Sequence, residues 1–212
     1  MKRLKLIALQ LIGLAFVGCM FTSCLNDDDD NGNSFTYLSK TEQLQAYSAI
    51  AGTHAGRIYW YDAQTGMSQA KLDSADVTLN VANDSTVYIY NFPTKPLADT
   101  IKTEYSALKT ALQQQPNTTL TIYTRYFRLN PIYFQADPYN ITYNLTYGGA
   151  THKVEVAFFN GMPNYMFGVY DSSAKSLQIV IGEGAVWVDR KANETNPTNH
   201  LYTSRSFLYK SL

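Results

Sequence analysis

The sequence predicts a mostly β fold of the α+β class: an antiparallel β-sandwich or flattened barrel of about nine or ten strands with one or two packed helices. Three observations predict it. Short segments of alternating apolar and polar residues recur along most of the chain. Gly, Pro, Asn or Asp separate these segments, which is typical of antiparallel strands joined by turns. Only two segments show the apolar spacing of a helix.

The first segment of the chain, residues 1–23, is predicted to be a lipoprotein signal peptide. Basic residues within positions 2–5 precede an apolar run that is too short to cross a bilayer. Small residues then stand before two cysteines, Cys19 and Cys24, which resembles the bacterial lipobox, whose cysteine carries the lipid. We favour Cys24 as the lipidated residue because an acidic run follows it at close spacing.

That acidic run makes residues 24–34 a predicted lipidated tether. Like charges between Asn and Gly repel one another and cannot pack, so they form an extended solvated segment. The run also resembles the export signal that sends Bacteroidetes lipoproteins to the outer face of the outer membrane, although a plain linker remains an alternative. The sequence thus predicts a lipid-anchored protein of the outer membrane and cell surface, with an export signal at Asp27, Asp28, Asp29 and Asp30.

The composition argues against several classes of partner and site. The chain has 17 basic and 17 acidic residues, and several of the basic ones lie in the signal. No basic stripe remains to hold phosphates, so nucleic acid is not expected as a partner. If Cys24 begins the mature chain, no second cysteine is available for a disulfide. Residues 35–212 are long enough for a single β-rich domain.

Two helices are expected in this domain. In YLSKTEQLQAYSAIAG, Ser39 and Glu42 stand in capping-box spacing and Gly52 supplies the stop. A second helix is expected near residues 98–114, where apolar residues recur at helical spacing after Pro96.

Most other segments predict strands. One strand runs to Asp62 before a turn at Gly66, and a hairpin turns at Asn83 and Asp84. Glu183, between two glycines, is expected in a further hairpin turn. Alternation cannot distinguish a sandwich from a barrel, but the helix inserted between hairpins favours the sandwich. The later strands are expected in TLTIYTRYFRL, YNITYNLTY, HKVEVAFFN, MFGVYD, SLQIVIG, AVWVDR and YTSRSFLYK.

Residues suited to catalysis are few. The three histidines lie in separate segments without metal-pair spacing, and no GxSxG motif is present, so no metal site, cofactor or acyl-transfer activity is expected. The enzymatic alternative is a glycoside hydrolase that uses two carboxylates on extracellular polysaccharide. Its candidates are Asp62, Asp137, Glu155, Asp171, Glu183 and Asp189. Most stand at strand ends or turns, where Asp commonly bonds to the backbone, so we expect no enzymatic activity.

Aromatic residues are the unusual feature, with 17 Tyr, 10 Phe and 2 Trp. In RIYWYD and IYTRYFRLNPIYF they occupy both faces of a strand, so one face must be exposed to solvent or bind a ligand. Cross-strand pairing that stabilises the sheet is the alternative explanation. The predicted ligand-binding residues are Tyr59, Trp60, Tyr61 and Trp187.

Three Asp-Ser/Thr-apolar triplets resemble the sequon at which Bacteroidetes attach O-glycans to exported proteins. They make Ser74, Ser85 and Thr100 candidate O-glycosylation sites. Such a short pattern also arises by chance in a chain rich in Ser and Thr.

Together, the segments FTSCLNDDDD, AGTHAGRIYWYD, DSADVTLNV and YNLTYGG resemble the small uncharacterised surface lipoproteins of gut Bacteroidetes that are catalogued as domains of unknown function. This resemblance implies a location more than an activity. The predicted function is a surface-exposed lipoprotein that acts as a non-catalytic binding module for a glycan, a peptide or a partner lipoprotein. A barrel that encloses an apolar ligand is a further alternative.

Overall fold

A computed structural model describes residues 36–61, 72–191 and 200–212. Residues 36–212 form one compact unit with its own hydrophobic core. The predicted signal peptide and tether, with Cys24 and the four aspartates, lie outside the described residues, as do Asp62 and the expected turn at Gly66. No helix in the described ranges is long and apolar enough to span a membrane.

The described residues of this unit form ten strands and a few short helices. The helices are α1 (Lys40–Ile50), α2 (Lys95–Asp99) and α3 (Ser106–Gln113), with a 3-10 turn at Thr103–Tyr105. The strands are β1 (Gly52–Tyr61), β2 (Leu72–Asn83), β3 (Thr86–Phe92), β4 (Thr118–Leu129), β5 (Ile132–Pro138), β6 (Ile141–Tyr147), β7 (Ala150–Phe158), β8 (Phe167–Asp171), β9 (Ser176–Val188) and β10 (His200–Ser211).

Eight of these strands close into an antiparallel barrel in the order β10, β1, β2, β3, β4, β5, β8, β9, and pairing of β9 with β10 completes the ring. The two extra strands extend from the wall, because β7 also pairs with β9 and β6 pairs with β7. The predicted mostly β, antiparallel fold with one or two helices is therefore confirmed, and of the two predicted forms the chain adopts the barrel rather than the favoured sandwich.

Strand β9 is where the barrel wall divides. Its first part pairs with β8 and its second part, from Glu183, pairs with β7. The predicted turn at Glu183 is wrong, since the residue lies inside a continuous strand. At this point β9 has a register shift with each neighbour: Gly184 is the extra residue opposite β7, and β10 has an extra residue between Tyr202 and Arg205.

Helix α1 begins as predicted. Ser39 and Glu42 form a reciprocal capping box, in which the Glu42 carboxylate accepts a hydrogen bond from the Ser39 N–H at 2.9 Å. Lys40 pairs with Asp84 in the β2–β3 turn. The helix packs against β2 and β4 through buried residues that include Ile50, so it covers the end of the barrel where that turn lies.

The second predicted helix is broken into three short pieces. Between α2 and the 3-10 turn, Ile101 is buried in the core, and the backbone leaves helical geometry to place it there. The carbonyl groups freed by the break need other partners. The Lys109 amine donates to the carbonyl oxygens of Asp99 and Ile101, at 3.0 and 3.3 Å, and so joins α3 to α2.

Aromatic rings occupy the interior of the barrel. Phe92, Tyr126, Phe134, Phe207 and Tyr209 are all buried and belong to one apolar cluster. Phe92 and Phe207 pack with ring centroids 5.2 Å apart. Because these side chains occupy the space between the strands, the structure gives no support to the alternative of an enclosed apolar ligand.

Candidate functional site

Tyrosine side chains cover part of the outer wall of the barrel. Tyr88 and Tyr90 lie on β3 with stacked rings whose centroids are 6.1 Å apart. Tyr123 on β4 is 39% exposed, and Tyr139, just after β5, is 59% exposed. We call these four residues the tyrosine surface.

The pairing register places these residues side by side. Tyr88 lies opposite Thr121 of β4, whose carbonyl oxygen accepts a hydrogen bond from the Tyr139 N–H at 2.9 Å. Tyr123 is the next outward position on β4 and lies opposite Asp137 of β5. Neighbouring strands are about 4.8 Å apart, so this register places the four tyrosines near one another on the outer wall, on β3, on β4 and just after β5.

A hydrogen-bonded polar network borders the tyrosine surface. Gln135 is only 1% exposed, although the strand alternation points it outward. Its amide oxygen accepts from the Tyr37 hydroxyl and from Arg125 Nη2, the latter at 3.2 Å. Its amide nitrogen donates to Asp137, whose other oxygen accepts from the Gly161 N–H at 2.7 Å.

The guanidinium group of Arg125 is held in place by this network. It lies 4.3 Å from the centroid of the Tyr37 ring and 6.0 Å from that of Tyr123. A cation over an aromatic face is attracted to the ring's electrons. Polar groups held in fixed positions therefore lie beside the tyrosine surface, which is an arrangement that orients a polar ligand.

Trp60 does not form the exposed platform predicted for it. The indole is only 7% exposed and packs in the core, with its ring centroid 6.3 Å from that of Phe207. Alternation along β1 puts the neighbouring Tyr59 and Tyr61 on the other face, where Tyr61 is exposed and Tyr59 is partly covered. Both are separated from the tyrosine surface by β2.

Trp187 is partly exposed on β9. The guanidinium carbon of Arg190 lies 3.7 Å from the centre of its ring and covers one side of it. Arg190 also approaches Glu155, which lies opposite Trp187 on β7, with 3.7 Å between Nη1 and Oε1. A ligand at Trp187 would have to share the ring with this ion pair, and its predicted role stays a prediction.

The described carboxylate candidates are engaged in local hydrogen bonds. Asp171 accepts hydrogen bonds within the β8–β9 turn, Glu155 binds the Asn140 amide at 2.6 Å, and Asp189 binds His152 at 2.7 Å. None of the candidates lines either of the two grooves beside α3. Within the described ranges, no three His, Cys, Asp or Glu residues are grouped to hold a metal ion.

Glu183 differs from the other carboxylates because it is completely buried. It lies opposite Arg205 of β10, and the Arg205 guanidinium is 3.8 Å from the carboxylate of Asp99 at the end of α2. Burial raises the pKa of Glu183 to about 8, and the neighbouring Thr203 and Arg205 offset only part of that rise. The Arg205 guanidinium thus lies near two carboxyl groups, and burial favours the protonated form of the more deeply buried one, Glu183.

The candidate O-glycosylation residues are in three different environments. Ser74 is partly exposed on β2, and Ser85 lies in the β2–β3 turn, where its hydroxyl donates to Asn83 at 3.0 Å. Thr100 departs from the prediction, because its hydroxyl oxygen is buried and out of reach of a modifying enzyme in the folded protein.

Sequence reasoning missed the tyrosine surface, although a signal for it was present. In strands that bury one face, the outward positions are usually polar. Tyr88 and Tyr90 alternate with buried Val87 and Ile89, and Tyr123 follows buried Ile122. Tyrosines at consecutive outward positions of paired strands are a stronger indication of an exposed aromatic surface than Trp60 is.

A family model described as a domain of unknown function (DUF4840) matches residues 49–188, which include the tyrosine surface and the polar network except Tyr37. No curated protein and no solved structure matches the chain.

Proposed function

The chain belongs to the family described as a domain of unknown function (DUF4840), and from that premise we propose that it is a non-catalytic binding module that holds a glycan against the tyrosine surface. The observation that carries the proposal is the group of four outward-facing tyrosines bordered by Arg125 and Asp137. Tyr supplies flat, amphipathic contact area at little cost in side-chain entropy, and fixed polar groups supply orientation.

The charge of the area also favours a neutral or weakly charged ligand. Within the polar network, the charged groups beside the tyrosines are Arg125 and Asp137. They lie 3.9 Å apart, so their opposite charges balance each other. A sugar ring can stack on tyrosine through its apolar face and present hydroxyls to such a pair. We do not propose the hydrolase alternative, because the described carboxylates Glu155, Asp171 and Asp189 are engaged in local hydrogen bonds.

A glycan that binds the tyrosine surface is expected to raise the thermal unfolding midpoint of residues 36–212 by a few degrees, because it stabilises only the native state. The measurement is a thermal unfolding scan against a panel of host and plant glycans. Tyr123→Ala and Tyr139→Ala should each remove the shift, since each deletes one ring from the contact area.

Tyr202→Ala is the matched control for this experiment. Tyr202 is 83% exposed on β10, across the barrel from β4, so its loss should leave the ligand-induced shift intact. A shift that survives both Tyr123→Ala and Tyr139→Ala would place the ligand elsewhere. No shift with any glycan would contradict the glycan as the ligand of this surface.

We further propose that the domain is displayed on the cell surface by a lipid on Cys24, with Asp27 to Asp30 as the export signal. The support is the order of basic cluster, apolar run, small residues and cysteine in the sequence. A surface location would bring the tyrosine surface to extracellular glycans.

Cys24→Ala is expected to release the protein from the membrane fraction into the soluble fraction, because no thiol remains at the proposed acylation site. Immunoblotting of fractionated cells checks this. Cys19→Ala is the matched control and should leave the protein in the membrane fraction. The reverse pattern would identify Cys19 as the lipidated residue.

A further inference from the structure

One edge of strand β6 is open along its whole length. Every other described strand of the sheet pairs on both sides over at least part of its length, whereas β6 pairs with β7 alone. An unpaired strand edge presents a row of backbone donors and acceptors to which another strand can add.

The β6–β7 turn fixes which backbone groups are free. Gly148 and Gly149 form a two-residue loop with φ of 60° and 84°, as in a type I′ hairpin. In such a hairpin the residues that flank the loop, Tyr147 and Ala150, exchange hydrogen bonds, and bonded pairs then alternate along the strands. The N–H and C=O groups of the intervening β6 residues consequently point away from β7. These are Thr142, Asn144 and Thr146, and all three residues are exposed.

Strand β6 lacks the features that usually protect an edge. Its seven residues, ITYNLTY, include no charged residue and no proline, and Ile, Thr and Tyr favour extended structure. On its inner face Ile141 and Leu145 are buried against the core, which fixes the register of the strand. The edge is therefore rigid, uncharged and able to accept a further strand.

We propose that a second copy of this chain pairs with this edge, β6 to β6 in antiparallel orientation about a two-fold axis at Asn144. In this register Asn144 lies opposite its own equivalent, and Thr142 of each copy lies opposite Thr146 of the other. These are the residues whose backbone groups are free, so each copy satisfies the other completely. Thr–Thr pairs across strands are favourable, and no like charges meet.

The space beside the β6 edge can also accommodate a second copy of the chain. A groove of about 330 Å³ runs between β6 and α3 and is open to solvent. Mostly small side chains line it, so the helix leaves space beside the edge for the approaching copy. The lining residues are Ser106, Ala107, Thr110, Ala111, Gln114, Thr146 and Tyr147. A closed two-fold dimer uses the same surface patch on both copies, here the β6 edge and the groove beside it.

Sedimentation equilibrium of residues 36–212 tests the proposal, with the protein itself as the probe. We expect a reversible dimer of micromolar affinity, since an interface of two strands is small. Asn144→Pro removes a donor that points away from β7, so the hairpin keeps its own bonds while the dimer weakens at least tenfold. Asn144→Ala keeps the donor and should dimerise like the unmodified chain.

Charge at position 144 provides the decisive arm of the experiment. Asn144→Lys alone and Asn144→Asp alone should each be monomeric, because like charges face each other across the axis. An equimolar mixture of the two should form a heterodimer, because opposite charges then meet. Circular dichroism establishes that each variant is folded.

Three results would overturn the proposal. They are a monomeric unmodified chain at about 100 μM, well above a micromolar dissociation constant, a dimer that persists in Asn144→Pro, or a failure of the charged variants to pair with each other. A monomeric unmodified chain would mean that the β6 edge pairs with a strand of another protein rather than with a second copy. The second would place the dimer interface on another surface.

Discussion

Replacing Gly168 with alanine is expected to lower the free energy of unfolding by about 3 kcal/mol or more, the upper end of overpacking effects. Gly168 lies in β8 directly opposite Phe134 of β5, and a Cβ atom there would overlap three atoms of the Phe134 ring. That ring is fully buried among other side chains, so it cannot move aside without disturbing the core. Urea unfolding of residues 36–212 measures the effect.

Two further variants show whether the clash is the cause. Gly184→Ala makes the same chemical change on β9, but its Cβ would lie 3.1 Å from the ring of exposed Phe159, which can shift, so the cost should be below about 1 kcal/mol. Phe134→Leu combined with Gly168→Ala should recover part of the loss, because the two positions share one space. Simple additivity of the two single substitutions would show that the Phe134 ring is not the obstacle.

Raising the pH from about 5 to about 9 is expected to destabilise the domain by a few kcal/mol through Glu183 alone. The ordinary carboxyl pKa applies in the unfolded chain, whereas burial raises the pKa of Glu183 to about 8 in the folded one. Between these values the folded state holds a proton that the unfolded state has lost. Stability is therefore greatest below the ordinary pKa and falls as pH rises through 8, where a charge must be kept in the core.

Glu183→Gln is the test of that slope. The amide has nearly the shape of the protonated carboxyl and cannot ionise, so the unfolding midpoint of the variant should change little across this pH range. Asp171→Asn is the matched control, because hydrogen bonds in the β8–β9 turn lower the pKa of Asp171 and keep its titration outside the range. If the slope persists in Glu183→Gln, another group causes it.

The sequence predicted strands well where one face of the strand is exposed to solvent. The β2–β3 hairpin and β4 show clear alternation and lie where the pattern places them. Strand β5 was missed because residues 132–136 are buried on both faces. Its outward residues Tyr133 and Gln135 are covered, the former by Phe127 and Phe167 and the latter by the polar network. Burial that comes from distant parts of the chain leaves no local alternation to detect.

The errors at Glu183 and Trp60 have a different origin. Two glycines around a charged residue usually indicate a turn, but here the strand continues through them, with Gly184 in a β-bulge and Glu183 opposite Arg205. Trp60 shares strand parity with buried Ile58, so it must face the core. The tyrosine surface depends on which strands become neighbours, and that pairing is a property of the whole barrel rather than of any one segment.

The seam of the barrel constrains the order in which the chain can fold. Strand β10 closes the ring by pairing with β1 and β9, and the Tyr209 hydroxyl donates to the His54 carbonyl oxygen at 3.1 Å across a separation of 155 residues. Contacts this distant in sequence are formed slowly, because loop entropy is lost before they stabilise anything. Local hairpins such as β2–β3 and β6–β7 can form early, but the barrel cannot close until β10 pairs with β1 and β9. Until then β1 and β9 remain open edges, and the interval before closure is the time when the chain is most exposed to wrong pairing.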